Sequence, residues 1–79
     1  MSSGMMTTVI ETIREVMKRN DLEESSLTSE TAILSETSLD SLALAEVIVV
    51  LESKTQKDPF ANGFINFRTI GELTQLYEQ

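Results

Sequence analysis

The residue pair with the clearest chemical potential in this sequence is Asp40 followed by Ser41. Ser41 opens a run of apolar and helix-forming residues that extends to Ser53, which predicts a helix with the serine in its first turn. The first turn of a helix has unpaired backbone N–H groups and the positive end of the helix dipole, so it favours a bound or attached phosphate. A simpler interpretation is that Asp40 and Ser41 only cap the helix, with Ser38 as an alternative N-cap.

The composition excludes most other kinds of site. The 79 residues include no Cys and no His, which excludes disulfides, thiolate metal sites, a thiol nucleophile and Ser/His triads. We therefore predict no metal site and no catalysis by the chain alone. With 13 acidic and 6 basic residues the net charge is −7, which disfavours binding to nucleic acid and favours protein partners with basic patches.

Length and hydropathy predict a single small domain without a membrane span. No stretch approaches the roughly 18 to 20 apolar residues that a membrane span requires. The opening residues MSSGMMTTV have neither the basic flank nor the apolar core of a secretory signal. We expect one domain over residues 1–79, flexible over residues 1–7, that is a monomer in the cytoplasm.

Helical periodicity is clear in the first third of the chain. An apolar stripe predicts a helix from about Val9 to Arg19, and Thr8 with Glu11 matches a capping box at its start. The stripe consists of Val9, Ile10, Ile13, Val16 and Met17. The polar segment over residues 21–38 then predicts a long ordered loop. Loops of this length are often functional, and the alternative is that this one only spans the distance between two antiparallel helix ends.

The last third of the chain predicts a terminal helix and a less regular approach to it. Thr69 and Glu72 match a second capping box. The apolar stripe that follows consists of Ile70, Leu73, Leu76 and Tyr77. Asp58 before Pro59 suits a short helix over residues 59–62 that ends at Gly63, and a short strand over residues 64–67 is an open alternative. The phenylalanines at 60, 64 and 67 are expected to anchor packing. The predicted fold is all-α, a small bundle of three main helices plus one short helix.

The predicted helix from Ser41 has an unusually apolar outer side. At 100° per residue the core side consists of Ala43, Leu44, Val47, Val50 and Leu51. The opposite side consists of Ser41, Leu42, Ala45, Glu46, Val49 and Glu52. Isolated exposed aliphatic residues are normal in proteins. A small apolar strip that borders the serine and is rimmed by carboxylates, however, suits a transient protein interface.

At this point the sequence resembles the acyl carrier protein family. Asp40-Ser41-Leu42 matches the Asp-Ser-Leu motif at the start of that family's second helix. The other matches follow in family order: Leu34, the LDSL of Leu39 to Leu42, Glu46, the apolar run through Leu51 and Glu52, the later DPF, and the closing TIGEL. The resemblance extends from about Val9 to Tyr77.

The resemblance implies an acyl-carrier-like bundle with 4'-phosphopantetheine as its covalent cofactor. A phosphopantetheinyl transferase would move this group from coenzyme A to Ser41, forming a phosphodiester, and its thiol would hold acyl groups as thioesters. Asp40 would help to position the metal and substrate of the transferase. Partner enzymes, namely acyl ligases, acyl transferases or synthases with basic docking patches, would contact the outer side of the helix. The residues expected in that contact are Leu42, Ala45, Glu46, Val49 and Glu52.

The segment before the motif departs from the family pattern at two positions. Ser38 stands where many members have glycine, and Thr37 stands where leucine is more frequent. The predicted helix that begins at Ser41 also has fewer acidic residues than the corresponding helix of housekeeping fatty-acid carriers. This difference favours a specialised, stand-alone carrier. Its acyl cargo would serve fatty-acid, polyketide or related secondary metabolism, and sequestration of that cargo in the core is an open alternative. Two other interpretations remain: an aminoacyl or peptidyl carrier, and an unmodified acidic helical adaptor that does not need Ser41.

Overall fold

The computed structural model describes residues 3–23 and 26–78. Along this part of the chain four helices follow one another. They are α1 (Ser3–Arg19), α2 (Ile33–Glu36), α3 (Ser41–Thr55) and α4 (Ile70–Glu78). The described residues contain no strand, and one isolated antiparallel bridge joins Ala32 to Thr69. The prediction of an all-α bundle with three main helices and one short helix is therefore confirmed.

Helix α1 lies at the centre of the bundle, because it contacts both α3 and α4. It runs antiparallel to α3, since Arg19 at its end pairs with Glu46 whereas Glu15 pairs with Lys54, two turns further along α3. The predicted stripes supply most of the core. Its fully buried members include Val9, Ile13, Val16 and Met17 of α1, Val47 and Leu51 of α3, and Ile70, Leu73 and Tyr77 of α4. Among the described residues, none of the helices is long and apolar enough to span a membrane.

The start of α1 differs from the prediction. The helix begins at Ser3 instead of Val9, and Thr8 does not cap it, because its hydroxyl donates to the Gly4 carbonyl at 3.1 Å within the helix. The physical reason is that Met5 and Met6 pack on the core and extend the apolar stripe by one turn. Residues 1–7 were expected to be flexible. From Ser3 onward they are helical, whereas residues 1 and 2 lie outside the described part.

The short helix lies in a different connection from the predicted one. Residues 59–62 form turns instead of a helix: the Ala61 N–H donates to the Asp58 carbonyl and the Gly63 N–H to the Phe60 carbonyl, each at 3.1 Å. Gly63, which was expected to end that helix, instead follows these turns with φ +130°. Residues 64–67 form no strand, since the one bridge in this region is at Thr69.

Helix α2 instead lies within the predicted long loop, where pairing with the start of α4 supports it. The Ile33 N–H donates to the Arg68 carbonyl at 2.9 Å, and the Ile70 N–H donates to the Thr31 carbonyl at 3.0 Å. The Glu36 side chain returns to accept from the Ala32 N–H at 2.9 Å, which satisfies a backbone donor at the start of α2. The loop is therefore held in place by backbone hydrogen bonds that join α2 to α4.

Helix α4 begins with the predicted capping box. The Glu72 N–H donates to the Thr69 hydroxyl at 3.1 Å, and the Thr69 N–H donates to the Glu72 carboxylate at 3.2 Å. Gly71 in the first turn packs against the backbone of Ser29, and its N–H donates to the Ser29 carbonyl at 2.8 Å. This contact explains the glycine, because a Cβ there would lie 2.9 Å from the same carbonyl oxygen.

Two of the three phenylalanines anchor packing as predicted. Phe60 and Phe67 are partly buried against the core, and Phe60 meets Tyr77 edge-on at a centroid distance of 6.5 Å. Phe64 stacks on Phe60 at 5.5 Å but keeps 71% of its surface exposed. It therefore forms the outer edge of this aromatic group.

Candidate functional site

Asp40 is the N-cap of α3, and Ser41 is the first residue of the helix. The Asp40 carboxylate accepts a hydrogen bond from the Ala43 N–H at 2.8 Å, and the Asp40 carbonyl accepts from the Leu44 N–H at 2.9 Å. Ser41 is exposed. Its hydroxyl therefore lies at the positive end of a fifteen-residue helix, where a phosphate group gains from the dipole and the N-terminal N–H groups.

Thr37 and Ser38 hold the backbone that leads into this turn. The Thr37 hydroxyl donates to the Ile33 carbonyl at the start of α2 and accepts from the Leu39 N–H at 3.1 Å. Ser38 is not the N-cap, because its hydroxyl donates to the Glu23 carbonyl at 2.8 Å. Leu39, two residues before Ser41, is buried in the core. The two departures from the family pattern thus provide hydrogen bonds that fix the approach to the serine.

The outer side of α3 has the exposure that the periodicity predicted. Leu42 is 80% exposed and Val49 is 63% exposed, and Ser41, Ala45 and Glu52 are also exposed. We call Leu42, Ala45 and Val49 the apolar strip. The strip begins directly after Ser41 and extends along α3 for two turns.

Glu46 is less free than the sequence indicated. One of its carboxylate oxygens is 2.6 Å from the Arg19 guanidinium and the other accepts from the Asn20 amide at 3.0 Å. The Asn20 amide also donates to the Val16 carbonyl at 2.8 Å, so it is anchored at the end of α1. These hydrogen bonds, that of Asn20 first and then that of Arg19, lower the pKa of Glu46 below its ordinary value. The carboxylate predicted to face a partner is thus tied to α1.

Glu52, at the far end of the outer side, lies beside a second carboxyl group. The like charge of Asp58, followed by a hydrogen bond between the two side chains, raises the pKa of Glu52. The same two residues contribute, after burial, to the raised pKa of Tyr77, about 12. At a rise of about 1.5 Å per residue, this acidic pair is about 16 Å from Ser41 along the helix.

A cleft of about 430 Å³ opens beside Leu44. Leu44, one turn after the serine, forms part of its wall, and residues 32–35 and 66–68 complete it with Leu34 and Phe64 at its edges. The sequence indicated Leu34 as a match to the family pattern and Leu44 as a residue of the core side of the helix, and neither assignment predicted a cleft. The cleft itself required the tertiary structure, because its walls come from three segments distant in sequence.

Sequence reasoning did not identify Arg19 and Asn20 as residues that shape the site, and it identified Thr37 and Leu39 only through comparison with the family pattern. Lys18 and Arg19 lie in the last turn of α1, where cations complement the helix dipole, and that position does not predict a contact with Glu46. A local signal was also available for Leu39, since it is an apolar residue between polar neighbours directly before a helix cap. The pairing of Arg19 with Glu46 spans 27 residues and has no local signal.

Comparisons with known proteins point to one family for this chain. A search of curated proteins and a search of solved structures each gave no significant match. A family model described as the phosphopantetheine attachment site matches residues 7–77, nearly the whole chain. An exposed serine hydroxyl at the capped start of a helix fits the covalent attachment of such a phosphate-linked group. The chain therefore belongs to the phosphopantetheine attachment site family of acyl-carrier-like proteins, whose covalent cofactor is 4'-phosphopantetheine.

Proposed function

We propose that this protein is an acyl carrier whose 4'-phosphopantetheine arm is attached to Ser41. The observation that supports this assignment best is the position of Ser41: an exposed hydroxyl in the first turn of a capped helix, directly beside an exposed apolar strip. The arm, when bound, supplies the thiol that the chain lacks, and that thiol holds an acyl group as a thioester. Carrier domains of this family are not themselves catalytic, and we infer no catalytic residue in this chain.

The protein's own residues present and orient the attachment point. Asp40 fixes the first turn of α3 by capping the Ala43 N–H. We infer that it also helps to place the metal and substrate of the phosphopantetheinyl transferase that modifies Ser41. The helix dipole stabilises the phosphodiester once it forms. Leu42, Ala45 and Val49 offer a modest apolar contact area, which suits partners that bind and release quickly.

The proposed partners are the transferase and the enzymes that load, process or unload the acyl group: acyl ligases, acyl transferases or synthases of fatty-acid, polyketide or related secondary metabolism. The net charge of −7 would steer such enzymes through basic surfaces. Glu46 and Glu52 remain proposed partner residues, with Glu46 first bound to Arg19. A monomer in the cytoplasm is a proposal that rests on the sequence alone.

Two other functions compete with this proposal. An aminoacyl or peptidyl carrier would use the same serine and arm, and would differ only in cargo. An unmodified acidic adaptor would use the apolar strip without Ser41, and the 80% exposure of Leu42 is the observation that favours it. The adaptor predicts that Ser41 can be replaced without loss of function.

The test is intact-protein mass spectrometry after incubation with coenzyme A, magnesium and a broad-specificity phosphopantetheinyl transferase. We expect the wild type to gain one phosphopantetheine unit and Ser41→Ala to gain none. Ser38→Ala, which removes a neighbouring hydroxyl, is the matched control and should still be modified. No gain by folded wild type, while a control carrier protein is modified in the same mixture, would contradict the proposal and favour the adaptor.

A further inference from the structure

The chain as a whole is strongly acidic, but the acidic side chains near Ser41 are held by hydrogen bonds or by an ion pair. Two carboxylates lie near the serine: that of Asp40, the N-cap of α3, and that of Glu46, on the outer side of the helix. Asp40 is engaged with the Ala43 N–H at 2.8 Å, and both oxygens of Glu46 are engaged by α1. The acidic pair Glu52 and Asp58 lies about 16 Å further along the helix. Of the two carboxylates near Ser41, that of Glu46 is therefore compensated by Arg19, whereas Asp40 keeps its negative charge at the start of the helix, and the strip between them is apolar.

Arg19 is well placed to control the charge beside the apolar strip. Its guanidinium contacts Glu46 at 2.6 Å, and its side chain is 58% exposed against 33% for that of Glu46. An approaching basic side chain would therefore meet the guanidinium as well as the carboxylate. Since Asn20 holds the second oxygen of Glu46, the carboxylate cannot turn away from Arg19 without losing another hydrogen bond.

We propose that Arg19 is a specificity-determining residue of the docking surface: by binding Glu46 it selects partner enzymes that contact the apolar strip through an apolar patch, not through lysine and arginine side chains. This proposal rests on the assignment of Ser41 as the attachment residue. Attraction between the chain as a whole and basic proteins persists at long range, because the net charge is −7. The close contact beside the serine, however, depends on burial of Leu42 and Val49.

A matched control is present in the second ion pair between α1 and α3. Lys54 contacts Glu15 at 3.1 Å and also donates to the Thr12 hydroxyl at 3.0 Å. Arg19→Gln and Lys54→Gln each remove one positive charge and one ion pair between the same two helices. Only Arg19→Gln exposes a carboxylate on the outer side of α3. A difference between the two variants therefore reports on the docking surface and not on net charge or helix packing.

The experiment measures kcat/KM for modification of the protein by a phosphopantetheinyl transferase at low and high sodium chloride. The transferase is one whose reaction with a control carrier slows at high salt, which shows that its docking surface is basic. The salt dependence is the ratio of kcat/KM at low salt to kcat/KM at high salt. We expect this ratio to be about three- to tenfold larger for Arg19→Gln than for the wild type, because the freed Glu46 carboxylate then attracts the basic surface. Lys54→Gln should stay within about twofold of the wild type, and Arg19→Gln combined with Glu46→Gln should restore the wild-type salt dependence.

Leu42→Ala tests the apolar half of the proposal. It should lower kcat/KM about tenfold, mainly through KM, at both salt concentrations. Equal salt dependence of Arg19→Gln and Lys54→Gln would overturn the role of Arg19, and an unchanged KM for Leu42→Ala would overturn the apolar contact. Either failure leaves the attachment to Ser41 intact as long as the wild type is modified. Failure of the wild type to be modified would contradict the proposed function instead.

Discussion

The Asp40 carboxylate accepts a hydrogen bond from the Ala43 N–H at 2.8 Å and so closes the first turn of α3 around Ser41. This contact gives Asp40 a structural role that is separate from any role in the modification reaction. The two roles can be distinguished, because asparagine caps a helix about as well as aspartate but carries no charge.

Asp40→Ala should lower the free energy of unfolding by about 1 kcal/mol, whereas Asp40→Asn should change it by only a few tenths. Urea denaturation followed by circular dichroism gives both values. If Asp40 also helps to position the metal of the transferase, Asp40→Asn should slow phosphopantetheine transfer while the stability is kept. Equal transfer rates for wild type and Asp40→Asn would restrict Asp40 to capping.

The carboxyl group of Glu46 should titrate below its ordinary value of 4.5, because hydrogen bonds from Asn20 and Arg19 favour the charged form. The folded-state pKa is lower than the unfolded-state pKa, so the contribution of this group to stability is present above the unfolded pKa and is lost as the pH falls through the folded pKa. Carbon-13 NMR of the glutamate carboxyl groups measures this titration. In Arg19→Gln the pKa of Glu46 should rise toward the ordinary value, whereas in Lys54→Gln it should not move.

Tyr77 should destabilise the protein at alkaline pH. Burial, followed by the charges of Glu52 and Asp58, raises its pKa from 10.0 to about 12. The unfolded chain therefore loses the phenol proton at lower pH than the folded chain does. The contribution of Tyr77 to the free energy of unfolding should be fully present below about pH 10, and it should be lost as the pH rises from 10 toward 12. Since the chain has one Tyr and no Trp, tyrosinate absorbance reports on this residue alone.

Tyr77→Phe supplies the control for that titration and a second expectation. The Tyr77 hydroxyl is buried and has no hydrogen-bond partner among the described residues. Its removal should therefore leave the free energy of unfolding at neutral pH unchanged or raise it by up to about 1 kcal/mol. A loss above about 2 kcal/mol, on the order of a typical buried truncation, would show that the hydroxyl has a partner. The variant should also lack the alkaline loss attributed to Tyr77.

Gly71→Ala should destabilise the protein by about 1 to 3 kcal/mol, because the added Cβ would lie 2.9 Å from the backbone oxygen of Ser29 and force the 28–31 turn away from α4. Gly4→Ala is the matched comparison. Gly4 is also helical, but nothing lies within 4 Å of the position that an added methyl group would take, so this substitution in the first turn should stabilise α1 slightly, by less than about 0.5 kcal/mol. Thermal unfolding of both variants checks the sign of each effect, and equal signs would contradict the close contact at Ser29.

Several features were predictable because their signals are local. The stripe of α4 and its capping box at Thr69 and Glu72 have the predicted residues and hydrogen bonds, since capping depends on side chains three residues apart. The cap at Asp40 and the exposed side of α3 followed from the same kind of signal. The start of α1 was placed too late because Thr8 and Glu11 have capping-box spacing within a helix that the packing of Met5 and Met6 extends.

The sequence by itself determined the helical class, the position of Ser41 at a helix start and the apolar character of the residues that follow it, because helical periodicity and capping act over three or four residues. The tertiary structure decided which side chains near Ser41 are free to meet a partner. The short helix forms at Ile33–Glu36, because backbone hydrogen bonds to the start of α4 support it there. Packing of α1 against α3 brings Arg19 to Glu46. Such contacts depend on how helices distant in sequence pack together, and no local pattern encodes that packing.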